Sequence, residues 1–142
     1  MPNNLNSAAG APPTALSVRI VHAAMAAGII LFAIVAHFVM VPKANPAGGL
    51  QPLIPWLLVV ALGLCVVSFL IMRRVPRPGT GGSVDAFWKR AGPPVIVWAP
   101  LEGAALLCVI LYAQTGSKMA IAVALLPIVL LVLLKPAYFE RR

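Results

Sequence analysis

Four apolar stretches run through this sequence and constrain its fold more than any other feature. Val18 to Val41 is broken only by Arg19, His22 and His37. Leu53 to Met72 carries no charge, Val95 to Ala113 carries one acid, Glu102, and Met119 to Leu134 is short and wholly apolar. A helix crosses the hydrocarbon of a bilayer in about 20 residues, with a range near 17 to 25. The fourth stretch reaches that length if Lys118 and Lys135 snorkel from its two ends. Buried helices of a soluble bundle carry a polar face at helical spacing, and these stretches have almost none. Only 10% of the chain is charged, against about 25% in ordinary soluble domains, so it has too little polar surface to cover itself in water. The sequence therefore predicts an all-α integral membrane bundle of four transmembrane helices. The spans fall at about 18–41, 53–72, 95–113 and 119–134, within one domain over 17–142.

Residues 1–16 are rich in Ala, Pro, Asn and Ser and carry no side-chain charge. Such a segment buries too little to offset its ordering entropy and reads as a disordered cytoplasmic tail. It lacks a basic n-region, and the apolar stretch after it is too long for a signal-peptide h-region, so the first helix is expected to stay in the protein. Pro42 to Pro52 reads as a loop. Gln114 to Lys118, QTGSK, reads as a tight turn that makes an antiparallel hairpin of the last two helices. The longest connection, Arg73 to Pro94, opens with a flexible RRVPRPGTGGS run. Ser83 or Asp85 can then cap a short amphipathic turn through Ala86, Phe87, Trp88, Lys89 and Arg90, suited to the headgroup level.

The formal charge of +8 comes from cations that flank the apolar runs instead of clustering on a polar domain. That placement points to lipid headgroups and away from nucleic acid. Nine Lys and Arg residues fall on one side of the predicted topology and two, Lys43 and Lys118, on the other. The positive-inside rule then puts both termini and the middle connection in the cytoplasm. Trp56 and Tyr112 fall near the outer boundary, Trp98 and Tyr138 near the inner one.

Glu102 is the one acid inside an apolar span, about 10 Å below the inner boundary at 1.5 Å per residue. Acidic residues near a helix centre cost roughly 2.5 to 3.5 kcal/mol on insertion scales, so an intramembrane acid is a functional candidate. It has two readings: a hydrogen-bonding group that holds helices together, or an ion or proton carrier. His22, Arg19 and Ser68 lie at a similar depth, and His22 with Glu102 would form a proton-sharing pair. Ala99 with Gly103, and Ala24 with Gly28, are small-xxx-small pairs that permit close helix packing. Gly103→Leu is expected to disturb assembly, while Leu131→Ala should matter less. Pro100 and Pro127 interrupt helices and leave carbonyls near Ile96 and Val123 without their helical partners.

No metal or other cofactor is expected. His22 and His37 are fifteen residues apart on one helix, about 22 Å, so they cannot share a metal, and no other helix supplies a histidine for a haem within one chain. Cys65 and Cys108 lack metal-type spacing and read as small apolar side chains. The chain has no nucleophile elbow, no HExxH and no phosphate-binding glycine loop, so no enzyme activity is expected.

The third stretch, WAPLEGAALLCVILYAQTG (Trp98 to Gly116), resembles small four-helix bacterial membrane proteins in which a mid-helix Leu-Glu-Gly or Leu-Glu-x-Pro precedes an apolar run and a Thr-Gly turn. The first stretch, RIVHAAMAAGIILFAIVAHFV, is similar to the first helix of such proteins. The lone membrane carboxyl beside small residues also resembles the proteolipid ring subunits of rotary ATPases, which would make Glu102 an ion carrier. The first helix, however, has one glycine, Gly28, in place of a glycine-repeat face. The resulting expectation is a multi-pass protein of a bacterial inner membrane, a non-catalytic accessory or assembly subunit. Its partners would be the lipid bilayer and other membrane subunits or further copies of itself. The alternative is a small proton- or ion-handling protein using Glu102.

Overall fold

The computed structural model describes residues 14–44, 49–75, 83, 84, 86, 88 and 95–140. Among them the secondary structure is entirely helical. Helix α1 spans Ala15–Val35 and continues through a π-helical turn, Ala36–Met40, and a 3-10 turn, Val41–Lys43. A 3-10 turn, Gln51–Leu53, leads into α2, Ile54–Arg74. Helix α3 is Val95–Thr115, α4 is Lys118–Leu133, and α5 is the short Pro136–Glu140. Three of these units are long and apolar enough to cross a membrane, and α4 is a shorter apolar helix.

Local chemistry sets the boundaries. Helix α1 begins at Ala15, two residues inside the segment read as tail, because Thr14 and Ser17 form a capping box. Thr14 Oγ1 accepts from the Ser17 N–H at 3.2 Å, and Ser17 Oγ accepts from the Thr14 N–H at 2.9 Å. Such reciprocal bonds satisfy donors that a helix start leaves open. The remainder of the tail, residues 1–13, lies outside the described residues. The turn from α3 to α4 is as tight as QTGSK implies. Gly116 adopts a left-handed φ of 68° and its N–H donates to the Tyr112 carbonyl at 2.8 Å, a helix ending that glycine reaches without a Cβ clash. Ser83 Oγ accepts from the Ala86 N–H at 3.2 Å, as a cap would. Asp85, Phe87, Lys89 and Arg90 lie outside the described residues.

The helices run alternately up and down. His22 of α1 meets Leu131 of α4 at one end, where Ser68 of α2 also meets Val97 of α3, while His37 meets Tyr112 at the other. Helices α1 and α3 are therefore parallel, and α2 and α4 oppose them. Helix α3 is the hub, in contact with α1, α2 and α4. Half of its most apolar window is buried by protein, against 28% for α2 and 11% for α1. The outward faces of α1 and α2 are apolar, with Leu31, Phe38, Val59 and Phe69 all exposed, as membrane-facing helices require.

Burial shows which way side chains turn, a point hydropathy leaves open. Trp98 and Tyr112 point into the bundle, and so does Trp88, while Trp56 is 72% exposed. The indole N–H groups of Trp88 and Trp98 find protein acceptors, which draws these rings inward. Leu131 is a core residue at 1% exposure, not a lipid-facing one. Ala24, Gly28 and Ala99 are exposed, and a Cβ built on Gly28 meets nothing within 4 Å. Only Gly103 of the four small residues packs within the chain, its built Cβ lying 3.9 Å from Leu64 of α2.

Candidate functional site

The polar side chains of the bundle gather at its two ends, and Glu102 belongs to neither group. Helix α4 stops at Leu133, and its last carbonyls lack the amide donors of a continuing helix. His22 Nε2 lies 2.9 Å from the Leu131 carbonyl oxygen. A carbonyl only accepts, so Nε2 carries the proton and donates. Trp98 Nε1 donates to the Leu134 carbonyl at 2.8 Å. The two rings meet edge to face, with centroids 4.6 Å apart. An imidazole from α1 and an indole from α3 thus serve as a side-chain cap for α4. His22 is 9% exposed and Trp98 fully buried, so leaving those carbonyls unpaired would be costly.

Just beyond them, the Glu140 carboxylate joins three segments. Oε2 accepts from Arg19 at 2.7 Å, and Oε1 accepts from Trp88 Nε1 at 3.3 Å. Arg19 is 56% exposed and Glu140 only 10%. The pair is therefore water-screened on its cationic side and contributes more to position than to stability.

At the other end, His37 Nδ1 lies 2.6 Å from the Tyr112 hydroxyl, with the two rings nearly parallel at 10°. Sequence reading did not link them, although each sits six residues before the lysine closing its end of the bundle, Lys43 and Lys118. That equal spacing was the available signal.

Glu102 stands one turn along α3 from Trp98 and is half-buried. It makes no hydrogen bond or ion pair among the described residues. Each partner the sequence offered it is engaged elsewhere. His22 bonds Leu131 and Arg19 bonds Glu140, while Ser68 Oγ donates to the Val97 carbonyl at 2.6 Å. The proton-sharing pair of His22 with Glu102 is not formed, because an orphan carbonyl at the end of α4 holds the imidazole. Cys65 and Cys108 are free and buried, and no group of three metal-binding side chains occurs among the described residues.

Comparison with protein-family models, with curated proteins and with solved structures finds no match to this chain.

Proposed function

We propose that this chain is a non-catalytic accessory or assembly subunit of a bacterial inner membrane, crossing it four times with both termini on the cytoplasmic side. It binds other membrane helices, from a second copy or from a different subunit. One observation carries this reading: Glu102, inside an apolar stretch, has no hydrogen-bond or charge partner among the described residues. Hydrocarbon offers none either, so the carboxyl needs a group from another helix. The exposed small residues support the same reading. Ala99 lies one turn from Glu102, and Ala24 with Gly28 lies on the outward side of α1, where close backbone approach is sterically open.

The test compares Glu102→Gln with Glu102→Leu in native membranes, reading complex size by blue-native electrophoresis. Glutamine keeps the shape and both donates and accepts. Under the assembly reading Glu102→Gln migrates with the wild type, and Glu102→Leu shifts toward the free subunit. If Glu102 instead handles protons, both variants assemble, and Glu102→Gln loses pH-driven flux in proteoliposomes. A wild-type chain that migrates alone in native membranes, with both variants unchanged, overturns the assembly reading.

A further inference from the structure

A cleft of about 310 Å³ opens between α1 and the hairpin of α3 and α4 at the end away from Glu140. Its walls are aliphatic and aromatic, from Ile30 to Phe38 on one side and Ile121 and Ile128 on the other. Among the described residues, His37 and Tyr112 are its only polar lining residues. The volume lies at the small end of ligand sites, which run roughly 300–1,000 Å³. A second observation marks the same place. His37 sits in the π-helical turn Ala36–Met40, and single π turns interrupting a helix occur frequently at functional sites.

The hydrogen bonds dictate what the cleft can recognise. Tyr112 is 7% exposed, and its hydroxyl has one acceptor among the described residues, His37 Nδ1 at 2.6 Å. We assign the phenol as donor to Nδ1, the direction that pairs the buried hydroxyl's own proton, and a neutral imidazole then carries its proton on Nε2. That Nε2–H has no acceptor among the described residues, and His37 is exposed along the cleft. It lies about 9 Å along the helix from Lys43 at 1.5 Å per residue, inside the apolar stretch Val18 to Val41. No cation among the described residues lines the cleft, so it does not suit an anionic head. The His37 ring stacks on Tyr112 and meets Phe38 edge to face, with centroids 4.9 Å apart. That arrangement offers a flat aromatic surface beside the donor.

We propose that this cleft binds a lipid-soluble quinone: a neutral planar head whose carbonyl accepts from His37 Nε2–H, with a hydrocarbon tail along Ile30, Ile121 and Ile128. The proposal is of binding alone, and it does not rest on Glu102 or on the assembly reading.

The test is thermal unfolding of the detergent-solubilised full chain, titrated with decylubiquinone. Methyl laurate (an ester carbonyl on a tail) and dodecane (a tail alone) are the controls. Anything that binds only the folded state raises the melting temperature saturably. Decylubiquinone is expected to raise it by several degrees in the wild type, and the two controls are not. Ile34→Trp fills the cleft from a 49% exposed position, so it should fold and lose the shift. His37→Phe should weaken the shift, because it removes the donor and keeps the apolar bulk. The absence of a saturable shift in the wild type overturns the proposal, as does an undiminished shift in Ile34→Trp. An equal shift with methyl laurate assigns the cleft to membrane lipid and overturns it too.

Discussion

The paired rings of His22 and Trp98 do structural work that their chemistry alone does not announce. An ionisable side chain in an apolar helix invites a reading as a proton carrier, yet His22 donates to a backbone carbonyl 109 residues away in sequence. Replacing it removes a donor and leaves the Leu131 carbonyl unpaired, which typically costs about 1–3 kcal/mol. His22→Phe is therefore expected to lower the melting temperature in detergent, followed by circular dichroism, while His22→Gln, with an amide donor, recovers part of the loss. Arg19→Ala should change little, since its partner contact is largely exposed on the cationic side. If His22→Phe melts with the wild type, the capping role is wrong. Glu102 and His22 were legible as unusual residues because charge and hydrogen-bonding capacity stand out in an apolar run. Their separate fates were not legible, because the acceptor that captures His22 is a main-chain atom exposed only where α4 happens to end.

At the scale of helices, hydropathy located every apolar element to within a few residues, since the cost of unsatisfied backbone in lipid ties span length to bilayer thickness. It did not say which face of each helix turns inward. All four stretches are apolar on every side, so periodicity carries no orientation, and Leu131 looked the same as its exposed neighbour Val132. The small residues divide in consequence. Gly103 faces Leu64, and an added Cβ would make an ordinary contact at 3.9 Å. Gly103→Ala should fold normally, whereas Gly103→Leu must displace α2. Gly28 has open space, so Gly28→Leu should leave the melting temperature of the isolated chain unchanged and reduce its assembly on a native gel. Leu131→Ala opens a cavity in the core, a change worth roughly 2–5 kcal/mol in soluble proteins, and should lower the melting temperature more than Gly28→Leu does. The reverse order would place Gly28 inside the fold and Leu131 against lipid.

Across the whole molecule, the alternation of helix directions gathers the cations by end. Arg19 at the start of α1, Arg73 and Arg74 at the close of α2, and Lys135 after α4 lie toward one end, with Lys43 and Lys118 toward the other. Insertion follows the Lys and Arg bias of short loops, and the orientation proposed above puts the richer end in the cytoplasm. A labelling experiment checks the assignment. Cys65 and Cys108 are both buried and are first replaced by alanine. Single cysteines then go in at Ser83 and at Gly49, each exposed, with open space around Gly49. An impermeant maleimide added to intact cells should label Gly49→Cys and spare Ser83→Cys until the membrane is broken. Labelling of Ser83→Cys from outside would invert the orientation. Labelling of both from the same side would mean that α2 does not cross the membrane, since Gly49 and Ser83 lie on either side of that helix in the chain. Because α2 is the longer of the two apolar stretches that lack any charged or histidine side chain, that outcome would weigh heavily against a membrane bundle.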